Sequence, residues 1–287
     1  MPAASFYASL PDTPRDDLLD AYLRFLEARN GTADATVPYP RREEWLADVD
    51  GAQARHRGHL DADTFDRLFA DFDANEAPDA PVCALLAFAK ANAGEAYGVE
   101  VLTRMRHGRP PTSELFDRVE RVIAQEETYH TRILLGVTRQ FGVPAPRSAF
   151  RPPLPLKLLI GTLAYAPKAV FHPILLAAEL GGVFSFDWLL RRSAQVFAGE
   201  PEVRDLMEAR LVEILIDEVG HIAFNRLAVG PAGLATARYL APDVAEATSG
   251  RMPEYRALGW SRAARDGFEA FNLDALPEEV RRRAFFV

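Results

Sequence analysis

Two short segments of this chain repeat one spacing of metal-binding side chains, Glu127-Thr128-Tyr129-His130 and Glu218-Val219-Gly220-His221. Three residues is just under one helical turn, so the Glu and His of each segment project from one face of a helix and can grip an ion together. A single Glu-x-x-His carries little weight, because an ordinary surface pair has the same spacing. Two further acids sharpen the pattern. Glu95 stands in a run of small and apolar residues from Ala84 to Val99, and Glu179 in another from Phe171 to Phe184. A carboxylate on such a face needs a compensating charge or proton, because burying it unpaired is expensive. Taken singly, each is equally well a helix-edge glutamate or the partner of an arginine. Taken together the order reads Glu, Glu-x-x-His, then Glu, Glu-x-x-His again. Four carboxylates balance two divalent ions, or two trivalent ions bridged by an oxide; without metal they would repel one another.

The elements that must position these residues are helical throughout, since no strand-like alternation persists. Thr13 reads as an N-cap and Pro14 as the first residue of a helix that ends near Asn30-Gly31. Shorter helices are expected over 42–57 and 62–73. Four long ones follow, over 82–107, 113–141 (Ser113 as cap, Gly142 and Pro144 as stop), 173–198 and 201–229. The proline-rich stretch 144–155 reads as a long crossover between the second and third. The tail carries short pieces over 261–271 and 277–285. No internal linker stands out, so 1–287 reads as a single domain with its bundle core at about 82–230.

Two helices, a crossover and two more helices is the connectivity of a ferritin-like four-helix bundle, here with additional N- and C-terminal helices, an all-α fold. Over about Val82 to Val229 the chain resembles the ferritin-like non-haem di-iron oxygenases, the class of p-aminobenzoate N-oxygenase, acyl-carrier desaturases and ribonucleotide reductase small subunits. The residues carrying the resemblance are Glu95, Glu126-Glu127-Thr128-Tyr129-His130, Glu179 and Asp217-Glu218-Val219-Gly220-His221. It implies that Glu95 and His130 serve one iron with Glu127 bridging, and that Glu179 and His221 serve the other with Glu218 bridging. It also implies that Asp217 hydrogen-bonds His130. Glu126 stands in the equivalent place for His221, or is simply solvated. Arylamine N-oxygenases carry an extra histidine one turn before the last Glu-x-x-His, and here that place is Ile214.

The function expected from this resemblance is O2-dependent oxidation of a small organic substrate, with hydroxylation, N-oxygenation and desaturation all open. Two iron ions are the expected cofactor, manganese in one site being left open. An external electron donor, a reductase or ferredoxin, is required because nothing here resembles a flavin or nicotinamide site. A homodimer fits the same class. The rivals are a ferroxidase or iron-handling protein without an organic substrate, and a metal-free helical interaction protein.

Composition narrows the field. The formal net charge is −8, and no basic stripe is present to neutralise nucleic-acid phosphates. Arg41-Arg42, Arg191-Arg192 and Arg281-Arg282-Arg283 read as solvated helix faces. Cys83 is the one cysteine, which excludes an intrachain disulfide or a thiolate cluster. Residues 1–6 lack a basic start and apolar run, and the apolar stretch 154–190 is interrupted by prolines and charges, so a cytoplasmic location without a membrane partner is expected. Tyr129 and Tyr97 read as packing residues rather than radical sites, and Phe88, Phe184, Phe186 and Phe224 as core, some of them able to line a pocket. Gly181-Gly182 suggests access to the metals ahead of simple helix packing. His56, His59, His107 and His172 are left out of the ligand set.

Overall fold

The structure is a computed structural model that describes residues 5–31, 39–51, 61–73, 79–106, 114–140, 143, 146–152 and 154–287. Among these residues the chain is helical and contains no strand. The helices are α1 (Arg15–Asn30), α2 (Pro40–Gly51), α3 (Ala62–Ala70), α4 (Ala80–Arg106), α5 (Leu115–Gln140), α6 (Leu154–Tyr165), α7 (Lys168–Val196), α8 (Pro201–Ala228), α9 (Pro231–Ala245), α10 (Pro253–Ala257), α11 (Arg262–Gly267) and α12 (Glu278–Arg283). The four long helices pack as two pairs, α4 along α5 and α7 along α8; α5 then meets α8 and α4 meets α7. Their buried apolar side chains belong to one cluster that runs from Phe6 to Val280.

Each long helix is placed by its pattern. Along α5, Val119, Val122, Glu126, Tyr129, Ile133 and Val137 recur every three or four residues and are buried, which sets one face against the other helices. Helix α8 has no such stripe, because from Arg210 to Leu227 every residue is buried. It lies at the centre, touched by α1, α5, α7 and α12. The remaining elements cover two sides of this frame. α1 and α2 lie over α5, with α1 also on α8; α6 and α9 lie against α7, with α6 also on α4.

Several boundaries differ from the sequence reading, each for a local reason. Helix α1 starts at Arg15, because Pro14 has ψ 139° and stands outside the helix, its carbonyl accepting from the Leu18 N–H. Its end is as expected, with Gly31 at φ 101°, the left-handed region that glycine enters without a Cβ penalty. Helix α3 is shorter than expected, since Asp71 is extended at φ −144° and ψ 92°. Helix α7 begins a turn before Pro173, the Pro167 carbonyl accepting from Val170 and Phe171. The crossover contains α6, and the segment after Gly230 folds into α9, a π-helical turn over Glu246–Gly250, and α10. Neither stretch announced these helices, because proline-rich composition masked both. The Ser113 cap, the end of the second helix beyond 51, His56, His59 and His107 lie outside the described residues. Ala169–Val196 meets the length and composition of a membrane span, contrary to the sequence reading of this region. Here most of it is buried against α8, α9 and α4.

Two glycines bear opposite loads. A Cβ on Gly220 would fall 2.7 Å from the Tyr22 hydroxyl and 3.0 Å from its ring, and that ring is fully buried. A Cβ on Gly182 would meet nothing within 4 Å. Gly220→Ala therefore lowers stability by about 1–3 kcal/mol through overpacking, whereas Gly182→Ala gains up to about 1 kcal/mol of helix propensity. Denaturant unfolding of both variants checks this, and equal behaviour would contradict the packing.

Candidate metal centre

The residues predicted from sequence converge. The ligand atoms of Glu95, Glu127, His130 and Glu218 lie within 4.8 Å of one another, as do those of Glu127, Glu179, Glu218 and His221. Glu127 and Glu218 belong to both groups, which is the geometry of two adjacent ion sites sharing two carboxylates. His130 Nδ1 is 3.1 Å from Glu218 Oε1, 3.4 Å from Glu127 Oε2 and 3.8 Å from Glu95 Oε2. His221 Nδ1 is 3.0 Å from Glu127 Oε1, 3.9 Å from Glu218 Oε2 and 4.0 Å from Glu179 Oε2. The two imidazole centroids are 5.7 Å apart. Ile214 is fully buried and belongs to neither group.

The donor set suits metal ions. Both Nδ1 atoms and Glu95 Oε2 are buried without a hydrogen-bond partner, the state that a lone pair keeps when it is meant for an ion. The other ring nitrogens are fixed. His130 Nε2 is 3.1 Å from Asp217 Oδ2, and His221 Nε2 is 3.1 Å from Glu126 Oε2. Each carboxylate is placed to accept the Nε2 proton, so that Nδ1, which faces the carboxylates of the cluster, is the nitrogen left to meet an ion once its own proton is released. Glu126 is not solvated; it is wholly buried.

Behind these two acids stands a group of cations that the sequence did not reveal. Arg29 Nε donates to Asp217 Oδ1 at 2.6 Å, and its Nη2 donates to Glu213 Oε2 at 2.7 Å. Arg42 donates to Asp217 Oδ2 through Nη2 and to Asn30 Oδ1 at 2.8 Å through Nε. Asn30 Nδ2 donates to Glu126 Oε1 at 2.7 Å. Burial alone would raise the Asp217 carboxyl, but Arg29, Arg42 and His130 hold it well below the usual carboxylate range. The Arg41-Arg42 doublet is thus not a solvated face. Arg41 is exposed, while Arg42 is buried in this network. Arg283 likewise donates to Glu213 Oε1 rather than standing free.

The opposite side is apolar. A cavity of about 280 Å³ reaches Glu95, Glu127, Glu179 and Glu218, and its walls include Ile123, Ile160, Leu163, Phe171, Leu175 and Phe224. Its polar contributors beyond the ligands are Glu120, Asn225 and Thr248, the last supplied by the π-helical turn. Asn225 is held by His172 Nδ1 at 3.2 Å and donates to the His221 carbonyl at 3.0 Å. Of the glycine pair, Gly182 lines this cavity, whereas a Cβ on Gly181 would sit 3.2 Å from the Ala245 nitrogen of α9. Access and packing are therefore divided between the two. The Tyr129 hydroxyl donates to Glu43 Oε1 at 2.9 Å and accepts from the Tyr39 N–H at 3.1 Å, as a packing residue does. Tyr97 packs edge-on to Phe150. Tyr22, missed from sequence, is fully buried against Gly220 within the field of Glu126 and Asp217.

Without metal, protons must offset the charge. Burial pushes the Glu95 and Glu179 carboxyls well above their ordinary range, and neighbouring ligand carboxylates add to the effect. Burial also disfavours the imidazolium ions, but Glu127 beside His130 and Glu126 beside His221 outweigh it and hold both histidines well above 6.5. The stability that the histidines contribute is complete below 6.5 and is lost as pH rises through their raised values. Glu95 and Glu179 cost stability as pH rises above 4.5, because the folded state resists their ionisation. Both trends share a sign. The thermal midpoint of chelator-treated protein therefore falls from mildly acidic to mildly alkaline pH, and metal binding removes the slope while releasing protons. Calorimetric melts across pH test this; a flat or rising profile in the chelated protein would contradict it.

The arginine network makes a separate prediction. Asp217→Asn keeps the shape but loses the charge opposed to Arg29 and Arg42, and it lowers metal affinity by about 10–100-fold. Arg42→Met leaves Asp217 and Glu126 under-compensated, with a cost of about 3 kcal/mol. Competitive chelation and urea unfolding read the two effects; unchanged values would mean the network is inert.

No family model, no curated protein and no solved structure matches this chain.

Proposed function

We propose that the chain is a ferritin-like, non-haem di-iron oxygenase that oxidises a small, largely apolar organic substrate with O2. The observation that carries this reading is a paired ligand set sharing Glu127 and Glu218 at the end of an apolar cavity. Glu95 and His130 would hold one ion, Glu179 and His221 the other, and the shared carboxylates both. Two irons so held would supply the electrons and Lewis acidity that activate dioxygen.

The chain's own residues do the rest. Asp217 and Glu126 fix the imidazole tautomers, and Arg29 and Arg42 keep Asp217 ionised so that it accepts rather than donates. The walls formed by Ile123, Leu163, Phe171 and Phe224 exclude water from the reacting region and bind apolar substrate surface. Asn225, immobilised by its bonds to His172 and the His221 carbonyl, and Thr248 offer the cavity's orienting polar contacts. Electrons come from a separate reductase or ferredoxin. The same ligands would serve a ferroxidase, but a predominantly apolar cavity suits an organic molecule better than a path for hydrated iron.

Metal analysis of the purified protein, followed by anaerobic addition of Fe(II) and then O2, tests the proposal. The expected results are about two irons per chain and an optical change on adding O2. Glu179→Ala should lower metal content and abolish turnover while far-UV helicity stays largely intact. Absence of stoichiometric metal after reconstitution would sink the reading.

A further inference from the structure

Helix α6 is apolar on two opposite faces. Ile160 and Leu163 are buried and wall the cavity. On the other side Leu154, Leu158 and Tyr165 are 66%, 61% and 78% exposed, and Val170 in the first turn of α7 extends the same surface. Of the large apolar side chains exposed among the described residues, only Tyr239 lies elsewhere. Single exposed leucines need no explanation, but a contiguous patch marks a contact surface. The charge pattern is equally local. Between Glu127 and Glu179 the sequence has no Asp or Glu and six Lys or Arg, in a chain of net charge −8. Arg132 and Arg147 are paired with Glu43 and Asp63, while Arg151 and Lys157 are exposed next to or within α6.

We propose that α6 and the first turn of α7 dock this protein in the plane of an anionic lipid surface, and that the cavity's substrate is a lipid-soluble molecule that passes α6 to enter. The second half rests on the oxygenase reading; the docking surface does not. An apolar helix face bordered by cations is what an interfacial helix presents to anionic headgroups and the acyl boundary. Spanning length is no criterion for a helix that lies in the interface, and α6 with 12 residues is far too short to cross. A second copy fits less well. In a two-fold contact the patch meets itself, which brings the cations of this acid-free stretch of sequence together. An in-plane helix whose inner face lines the cavity also joins the apolar phase to the proposed metal site across one helix diameter, about 10 Å.

The test is co-sedimentation of the full-length, metal-loaded protein with vesicles of phosphatidylcholine alone and of phosphatidylcholine mixed with phosphatidylglycerol. Wild type is expected to sediment with the mixed vesicles more than with the neutral ones. Leu158→Asp/Tyr165→Asp should lower that binding more than about tenfold, and Lys157→Glu at least about fivefold. Unchanged far-UV helicity and metal content in these surface variants exclude misfolding. Wild type that stays in the supernatant with anionic vesicles overturns the proposal. So does a double variant that binds as well as wild type, or a wild-type dimer that the variant dissociates without any vesicle binding. Glu179→Ala should retain vesicle binding while losing metal, so the docking surface and the metal-centre reading can fail separately.

Discussion

Everything in this fold answers to one electrostatic difficulty, the placement of four carboxylates and two imidazoles within a few ångströms inside an apolar bundle. Unscreened, such a cluster would drive the helices apart. The chain meets the difficulty from two directions. On the ligand side, bare Nδ1 atoms and an unpartnered Glu95 oxygen invite cations. On the far side of the imidazoles, Asp217 and Glu126 hydrogen-bond the ring nitrogens; Arg29 and Arg42 offset the charge of Asp217, and Arg42 with the neutral Asn30 amide backs Glu126. Charge alternates outward from acid to imidazole to acid to guanidinium, so that no member of the series is buried without an opposite neighbour.

That alternation explains why the two sides of the bundle differ. The α1–α2 side meets the cluster with buried polar groups joined by hydrogen bonds. The α6–α9 side is apolar and hollow, and it is where Glu95, Glu127 and Glu179 retain some exposure while both histidines have none. The hydrogen bonds that hold the cluster thus come from one side, and the cavity that reaches it lies on the other. Replacing residues in the arginine network and in the cavity should therefore perturb different properties.

The ligand constellation was legible because Glu-x-x-His is a local signal, repeated, with its flanking acids in the adjacent position. Helix ends were legible from their breakers, Gly31 after α1 and Pro201 and Gly230 around α8 among them. The arginine network was not. Nothing within a few residues of Arg42 distinguishes it from Arg41, since what buries it is Asp217, a residue 175 positions away. Helix α8 offered no periodicity to read, because it is surrounded and every face from Arg210 to Leu227 is an inner face. Helices α6 and α9 are hidden by their prolines: Pro155 stands in the first turn of α6, and Pro231 opens α9 while Pro242 lies inside it.

The long reach of Arg29 has a consequence for the order of assembly. Its partners Glu213 and Asp217 lie 184 and 188 residues further along the chain, and Glu218, common to both candidate ion groups, comes later still. A chain emerging from the ribosome therefore holds Glu95, Glu127 and His130 long before the acids that complete either candidate ion group exist. Such a fragment offers three ligands and no guanidinium-backed acceptor for His130. The six-residue cluster is complete only once α8 is packed against α5 and α7, a long-range arrangement whose loop-closure entropy must be met before its contacts reward it.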